Sequence, residues 1–407
     1  MEGILFGLDI GTTKVCAIVG EVRQGRLQII GLGVEPSRGM RKGMVVDVAE
    51  AAGAIALAVE KAEQTSGYEL KSALVSMAGE HLRSFNGAGA INLQRSDGGV
   101  TRDDVKRALE AAQIVAIPHD RELVHIVPRH FTVDDQEGVS SPLGMHGRRL
   151  QVEAHIVTAS STALMNLKQC AKEVGLAVEE FVLNVLASAE AVSEPSERDM
   201  GVIVADIGGG TTDIALFSQG KVWHSAVIPL GGQHITGDIA IGLRVPFDVA
   251  EAIKLQYGDC RPGEIDAGNE FTVKPFGDDR IVVGWRDLAY VVEARVEELF
   301  EMVLKSVKES GYAGLLPAGI VLTGGTAQLR GITSVAERIL GVPARVASPK
   351  NLVGLVDALQ GPAFATSVGL LRWAIAGHNA YLPRLDTDPG GDRWQWWRRW
   401  LRGFLPD

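Results

Sequence analysis

The sequence predicts an internally duplicated α/β fold with one sheet in each half. Two stretches indicate this: ILFGLDIGTTKVCAIVGEV near the start, and MGVIVADIGGGTTDIALFSQG roughly half a chain later. In each, an apolar run, a glycine and threonine turn and a second apolar run follow one another, which is the pattern of a β-hairpin. A chain of 407 residues is also too long for one core of ordinary size, so we expect two or more domains.

The composition is that of a folded protein, with 46% hydrophobic and 22% charged residues. A formal net charge of −10 argues against a protein that coats nucleic acid. Cys16, Cys170 and Cys260 lie far apart, without the spacings of a zinc site or a disulfide framework. The apolar run in MEGILFGLDIG is too short for a signal peptide, and no window reaches the roughly 20 apolar residues of a membrane span. We therefore expect the body of the protein in the cytoplasm.

Both turns contain the residue types that bind phosphate. Glycines let backbone N–H groups approach anionic oxygens, threonine hydroxyls add donors, and a lysine adds a cation. Asp9 and Asp206 end the first strands and are predicted to hold Mg²⁺ through its waters, because this ion keeps most of them. Either turn alone could be a tight hairpin without a ligand, but two matching copies favour a nucleotide. The predicted nucleotide-binding residues of the two turns are Gly11, Thr12, Thr13, Lys14, Gly208, Gly209, Gly210, Thr211 and Thr212.

A third glycine turn, GIVLTGGTAQLRG, follows a helical stretch predicted over 286–310. A buried strand leads into Gly324, Gly325 and Thr326, and we expect a helix to begin there with its N-terminus toward the nucleotide. Taken alone, the letters TGGT fit a simple strand-to-helix turn equally well.

The order of these three elements resembles the superfamily of actin, sugar kinases and DnaK-type chaperones. Within it, the chain is most similar to the FtsA family of bacterial cell-division proteins, on the segments SMAGEHLRSFNGAGAINL, HFTVDDQEGVSSPLGMHGRRLQVEAHIVTAS, VIPLGGQHITGDIAIGL and AEAIKLQYG. The similarity covers nearly the whole chain. It implies an actin-like duplicated fold, in which two domains with mixed sheets close on ATP and Mg²⁺, with an inserted subdomain called 1C.

The resemblance also implies a division of the chain. Subdomain 1A would comprise 1–81 and 161–197, the insert 1C 82–160, subdomain 2A 198–236 and 301–377, and subdomain 2B 237–300, followed by a linker over 378–391 and a helix over 392–407. The residues of the insert fit a separate unit, because TRDDVKRALEAAQIV predicts a helix with Thr101 as N-cap and Asp103 and Asp104 in its first turn. Strands ELVHIVPRHFTVDD and RLQVEAHIV follow, and the polar residues 135–149 between them predict an exposed loop.

The adenosine side of the cleft is expected over residues 233–257, which predict two helices broken near Pro246. The resemblance assigns Gly232, Glu251 and Lys254 to the nucleotide, with Glu251 and Lys254 beside ribose and adenine. Helix geometry alone would explain Glu251 and Lys254 as a surface i,i+3 charge pair.

Hydrolysis is expected to be slow. In actin and in the rod-shape filament protein, a glutamine or glutamate on the helix before the second phosphate turn orients the attacking water, and FVLNVLASAEAV places Asn184 there. Asparagine is shorter and its amide is not a general base. Glu190, further along the helix, is the alternative candidate. We predict firm binding of ATP, which acts as a switch.

The partners are also predicted from the resemblance. Subdomain 2B in FtsA is the docking surface for the C-terminal peptide of the tubulin-like protein FtsZ, and Arg286 and Arg295 in GWRDLAYVVEARVEELFEMV are the candidate contacts for its acidic residues. Solvated helix faces would explain both arginines equally well. Self-assembly into an actin-like filament and recruitment of later division proteins through 1C complete the expected interactions.

The closing segment RWQWWRRWLRGFLPD follows a linker with two prolines and a Gly-Gly pair. On a helical projection, its tryptophans and other apolar residues fall on one half and most of its arginines on the other. This pattern predicts a helix lying in the interface of a membrane with anionic lipid, although a core helix or a helix bound in a protein groove also fits. The predicted membrane-binding residues are Trp394, Trp396, Trp397, Arg398, Arg399, Trp400, Leu401, Arg402, Phe404 and Leu405.

The sequence therefore predicts an ATP-binding filament protein at the division site, peripheral on the cytoplasmic face of the inner membrane, which tethers FtsZ. Two alternatives remain at this point: a pilus-assembly-type adaptor of the same architecture, or a small-molecule or polyphosphate kinase or hydrolase.

Overall fold

The computed structural model describes residues 3–93, 99–113, 117–275, 280–312, 314 and 316–376. The strands are β1 Gly3–Ile10, β2 Lys14–Arg23, β3 Arg26–Pro36, β4 Met40–Arg41, β5 Met44–Val45, β6 Ser72–Met77, β7 Leu82–Asn92, β8 Arg121–Val133, β9 Gln136–Val139, β10 Arg149–Ser160, β11 Ala177–Leu183, β12 Val202–Ile207, β13 Thr212–Ser218, β14 Lys221–Ile228, β15 Glu270–Val273, β16 Ile281–Gly284, β17 Ile320–Thr323 and β18 Ala344–Val346. The helices are α1 Val48–Ser66, α2 Arg102–Gln113, α3 Ser161–Glu173, α4 Asn184–Val192, α5 Pro195–Met200, α6 Gly232–Leu243, α7 Phe247–Tyr257, α8 Trp285–Glu309, α9 Ile332–Leu340 and α10 Ala365–Ala376.

Two five-stranded sheets share one topology, which confirms the predicted duplication. The first sheet has the order β3-β2-β1-β6-β11 and the second the order β14-β13-β12-β17-β18. In each, the first three strands form an antiparallel meander, and the last two strands run parallel to the first strand of the hairpin. The two glycine turns thus join equivalent strands, β1 to β2 and β12 to β13.

Two helices pack together between these sheets. α10 lies on β1 of the first sheet, α4 lies on β12 and β13 of the second, and the two helices contact each other along their length. At Gly369 of α10, a Cβ atom would lie 1.9 Å from the carbonyl oxygen of Ala187 in α4. Only glycine permits this approach, and the resulting core is continuous from Leu8 in the first sheet to Val204 in the second.

The inserted sheet, with strand order β7-β10-β8-β9, carries α2 on one face and has a core of its own. The predicted start of α2 is confirmed: the backbone N–H of Thr101 donates to the carboxylate of Asp104 at 2.8 Å, and the N–H of Asp104 donates to the Thr101 hydroxyl at 3.3 Å. The prediction of a loop throughout 135–149 is wrong, because β9 pairs with β8 within that stretch.

A third core lies on the other face of the second sheet, under α6, α7, α8 and the hairpin β15–β16. The predicted break near Pro246 is confirmed, since α6 ends at Leu243 and α7 begins at Phe247. None of the described helices is long and apolar enough to cross a membrane.

The third glycine turn differs from the prediction of a helix directly after it. Residues Gly325–Gln328 form a single 3-10 turn, and α9 begins only at Ile332, after Gly331 with a φ of 76°. The turn ends because Leu329 adopts an extended ψ of 133°, and Gly331 then caps the start of α9.

Candidate functional site

A cleft of about 490 Å³ lies between the two halves, and the glycine turns line it from both sides. Most of the predicted site residues meet here although they are distant in sequence. Those that line the cleft are Asp9, Gly11, Thr12, Thr13, Lys14, Asn184, Asp206, Gly208, Gly209, Gly210, Thr211, Gly232, Glu251, Lys254, Gly324, Gly325 and Thr326.

Equivalent hydrogen bonds close the first and second glycine turns. The N–H of Gly11 donates to the carbonyl of Lys14 at 2.9 Å, and the N–H of Gly208 donates to the carbonyl of Thr211 at 2.9 Å. Each turn therefore presents its middle residues to the cleft in equivalent positions.

These two turns also approach each other closely. A Cβ atom on Gly209 would lie 2.3 Å from the Thr13 methyl, and one on Gly210 would lie 2.7 Å from the Thr12 hydroxyl oxygen. Real Cβ atoms do not come this near, so any other residue at these positions would have to displace the Thr12 and Thr13 side chains.

Asp9 lies on the floor of the cleft and accepts three hydrogen bonds. Its donors are the Ser76 hydroxyl at 2.9 Å, the Ser367 hydroxyl at 2.7 Å and the Lys14 ammonium at 3.3 Å. Burial, the largest single influence, would lower the pKa of Lys14, but the interactions with Asp9, Cys16 and Asp206 together outweigh it and the pKa is raised. Lys14 is therefore a cation at neutral pH, held at the mouth of the first turn.

Asp206 occupies the equivalent position in the second half. It accepts hydrogen bonds from the hydroxyls of Ser188 on α4 and Thr366 on α10, the latter at 2.8 Å. Burial raises the pKa of Asp206 in spite of these two donors. Among the described residues no group of three or more His, Cys, Asp or Glu side chains could hold a metal ion.

Among the described residues that line the cleft, two have a buried side-chain oxygen without a hydrogen-bond partner. These oxygens are Oδ1 of Asn184, the first residue of α4, and Oδ1 of Asp213 on β13. Asn184 lies one helical turn before Ser188, on the same face of α4, and Asp213 lies opposite Asp206 in the β12–β13 register. Asp213 thus lies beside Asp206, and Asn184 lies on the face of α4 that carries Ser188, a donor to Asp206.

Asp213 is the site residue that the sequence interpretation missed. Its pKa is raised well above the usual range, first by burial and then by the negative charge of Asp206. The signal was present, since Asp213 ends the motif DIGGGTTD and lies opposite the aspartate that begins it. Gly43 and Thr366 also line the cleft without having been predicted.

Two predicted residues lie elsewhere. The Thr212 hydroxyl donates to the carbonyl of Leu230 at 2.8 Å, so this fully buried side chain joins β13 to the segment after β14 and does not face the cleft. The carboxylate of Glu190 pairs with Arg198, and Glu190 is not among the cleft residues. Both assignments are therefore corrected.

On the adenosine side, Lys254 and Glu251 form a connected pair on α7. The ammonium of the buried Lys254 donates to Glu251 at 2.7 Å, to the Thr236 hydroxyl at 2.9 Å and to the Gly232 carbonyl at 3.2 Å. The Thr236 hydroxyl also donates to Glu251. Lys254 therefore fixes α7 to the start of α6, and the carboxylate of Glu251 remains partly exposed at the cleft.

The two arginines predicted to meet a partner peptide are engaged within the chain. Arg286 donates to the carbonyl of Ile265 at 2.8 Å. Arg295 donates to both carboxylate oxygens of Asp238, at 2.6 and 2.8 Å, and contacts Glu298. The predicted linker and membrane helix over 378–407 lie outside the described residues.

Comparison with solved structures shows which known folds this structure resembles. The type IV pilus biogenesis complex PilM-PilN matches with a TM-score of 0.65 at 19% identity, over 91% of this chain and 98% of that one. MreB5 of Spiroplasma citri bound to ADP matches with a TM-score of 0.55 at 17% identity, over 91% and 95%. Two copies of one sheet topology around a glycine-lined cleft thus define a protein of the actin-like class.

Sequence comparison narrows this class to one family. A model described as cell division protein FtsA matches residues 203–369, and one described as the SHS2 domain inserted in FtsA matches 79–158. The cell division protein FtsA of Pseudomonas aeruginosa is 42% identical, over 91% of this chain and 89% of its own length. FtsA of Neisseria meningitidis is 41% identical over 90% and 89%, and that of Bacillus subtilis 38% over 90% and 82%. The chain belongs to the FtsA family of cell division proteins.

Proposed function

We propose that this protein binds Mg·ATP in the cleft and acts in cell division as an actin-like assembly protein that attaches FtsZ to the membrane. The observation that carries the nucleotide assignment is the pair of equivalent turns facing one cleft, closed by matching hydrogen bonds at Gly11 and Gly208. Turns of this kind direct backbone N–H groups toward phosphate oxygens.

The free acceptors support a hydrated magnesium ion. A buried acceptor without a donor is costly, and Asn184 and Asp213, which line the cleft, each have one. The waters around Mg²⁺ are donors, and this ion takes few protein carboxylates directly. Bound Mg²⁺ neutralises the charge of the phosphates. With the ion and nucleotide bound, the Lys14 ammonium would pair with a phosphate oxygen, and Asp9 and Asp206 would hold the waters of the ion.

Slow hydrolysis follows from the same residues. The Asn184 oxygen can accept a hydrogen bond from a water molecule, but an amide does not take a proton at neutral pH. Glu190 cannot replace it, because its carboxylate is held by Arg198 away from the cleft. ATP therefore acts as a bound switch. Several turnovers per minute by the purified protein without lipid would contradict this.

Family membership and the closing segment support the remaining parts of the proposal. The interleaved tryptophans and arginines over 392–407 attach the protein to the cytoplasmic face of the membrane. One such helix binds weakly, so assembly into a filament strengthens attachment by multiplying the contacts. The insert recruits later division proteins. A pilus-assembly role is less well supported, because the likeness to PilM rests on 19% identity.

Co-sedimentation with FtsZ and anionic vesicles tests the tether. We expect FtsZ to pellet with vesicles only when the full-length protein is present, and to remain in the supernatant with a variant lacking residues 392–407. Equilibrium dialysis with labelled ATP checks in parallel that the truncated variant still binds nucleotide. Vesicle binding that is unchanged by the truncation would overturn the membrane assignment.

A further inference from the structure

The inserted sheet contacts the second half of the protein as well as the first. It packs against β14, the edge strand of the second sheet. The Ser225 hydroxyl lies 2.8 Å from Nε2 of His155 on β10, and the Ser225 carbonyl accepts a hydrogen bond from Ser84 on β7. The guanidinium of Arg129 on β8 lies 3.5 Å from the centre of the Trp223 ring. We call these five residues the junction.

Three of the five junction residues are buried and polar, so the junction specifies one arrangement. Exposed fractions are 1% for His155, 2% for Ser225 and 9% for Arg129. Nδ1 of His155 lies 2.8 Å from Oδ1 of Asn86, an acceptor, so Nδ1 carries the hydrogen and Nε2 accepts from Ser225. Separation would leave a histidine nitrogen without its donor and the Arg129 charge without the Trp223 ring, and both losses are unfavourable in a buried setting.

The same sheet is also fastened to the first half beside the cleft. Nε2 of His125 on β8 accepts the backbone N–H of Leu183 at 3.1 Å, and Leu183 directly precedes Asn184. Arg121 joins the two ends of the insert by donating to the carbonyls of His81 and Thr158 at 2.8 Å each. The insert is therefore attached on one side to the base of α4 and on the other to β14.

We propose that the inserted sheet is a strap between the two halves, lying outside the cleft, which couples the opening of the cleft to the orientation of the insert. None of the junction residues lines the cleft. Because the insert is attached to both halves, a rotation of the second half against the first must either carry the inserted sheet along with β14 or break the junction. The nucleotide dependence of this coupling rests on the proposed function, whereas the mechanical link does not.

The experiment is hydrogen–deuterium exchange on the full-length protein. The junction variant combines Arg129→Met, which keeps the apolar volume without the charge, with Ser225→Ala, which removes the hydroxyl. The matched control is Ser306→Ala. The hydroxyl of Ser306, which lies on α8, is 3.1 Å from Nε2 of His224, the neighbour of Ser225 on β14. This substitution removes an equivalent histidine contact without touching the junction.

Without nucleotide, we expect at least fivefold faster exchange of the amides over 183–188 and 208–212 in the junction variant, and no change in Ser306→Ala. Unchanged exchange in the junction variant would overturn the strap. When Mg·ATP is added, amide exchange in β7 and β10 should change in the wild-type protein but not in the junction variant. Equilibrium dialysis is expected to show that both proteins bind nucleotide. An equal response in both proteins would overturn the coupling. If dialysis shows no ATP binding, the proposed function fails, and the nucleotide-free comparison still decides the strap.

Discussion

Asp206 and Asp213 lie directly opposite each other on the antiparallel strands β12 and β13, and both carboxylates line the cleft. Asp206 is supported by two hydroxyl donors, whereas one oxygen of Asp213 has no partner. Burial raises the pKa of both groups; the negative charge of Asp206 raises the pKa of Asp213 further, and that of Asp9 raises the pKa of Asp206 further. The cleft thus holds negative charge that a bound cation would stabilise.

Replacement of Asp213 by Asn should stabilise the nucleotide-free protein. The pKa of Asp213 is higher in the folded state than in the unfolded state, so its ionisation destabilises the fold increasingly as the pH rises above about 4. We expect Asp213→Asn to raise the free energy of unfolding by about 1–3 kcal/mol at pH 7.5, and the difference to shrink toward pH 4. Urea unfolding at several pH values measures this.

Asp9→Asn is the control for that experiment. Asp9 accepts hydrogen bonds from Ser76, Ser367 and Lys14, so loss of its charge should lower the free energy of unfolding by about 1.5–3 kcal/mol. If both variants destabilised the protein equally, Asp213 would not be the unsupported carboxylate described above.

Gly209→Ala should weaken ATP binding. The added methyl would meet the Thr13 side chain and push the two turns apart. We expect at least a tenfold loss of affinity, about 1.4 kcal/mol, by equilibrium dialysis with labelled ATP. Gly242→Ala in α6 is the matched control, since its Cβ would meet nothing within 4 Å and alanine favours the helix. Full affinity in Gly209→Ala would show that the spacing of the turns does not matter for the ligand.

Charge exchange at Arg295 separates folding from partner binding. Arg295→Asp faces Asp238 with a like charge and should lower the melting temperature. The double variant Asp238→Arg with Arg295→Asp restores an ion pair of reversed direction and should recover stability. If Arg295 contacts an acidic FtsZ peptide, the double variant still binds that peptide at least tenfold more weakly than wild type, as measured by fluorescence anisotropy. Recovery of both properties would confine Arg295 to a structural role.

Two buried histidines should make the protein sensitive to mild acid. Burial lowers the pKa of His155 to about 3 and of His81 to about 4. Below about pH 6.5 the unfolded chain takes up protons that the folded chain excludes. The free energy of unfolding therefore falls by about 1.4 kcal/mol per pH unit for each histidine as the pH decreases, and this loss is absent above pH 6.5.

The ring nitrogens of His81 have no hydrogen-bond partner, so His81→Leu should reduce this pH dependence with little loss at pH 7.5. His155→Leu removes the bonds to Asn86 and Ser225 and should destabilise the protein at both pH values. Urea unfolding of both variants at pH 7.5 and 5 provides the comparison. An unchanged slope in His81→Leu would contradict the assignment to that ring.

Local features were predictable because their causes lie within a few residues. The glycine turns, the cap at Thr101 and the break at Pro246 follow from backbone preferences that neighbouring residues decide. The duplication was visible for the same reason, since the two motifs repeat the same local pattern. The charge pattern over 392–407 likewise belongs to the sequence alone.

Only the tertiary structure decided which hydrogen-bond or ion-pair partner each side chain of the site has. The hydroxyl donors of Asp206 come from Ser188 and Thr366, which lie on helices far apart in the chain, and no local pattern indicates that Asp213 receives too few. Thr212 was predicted as a hydroxyl donor of the second glycine turn, and Glu190 as the alternative to Asn184 further along the same helix. Packing instead turns Glu190 toward Arg198 and Thr212 toward Leu230. A side chain's neighbours across sheets and helices depend on how distant segments pack, and this is why the sequence determined the elements of the site while the fold determined which of their atoms remain free to bind.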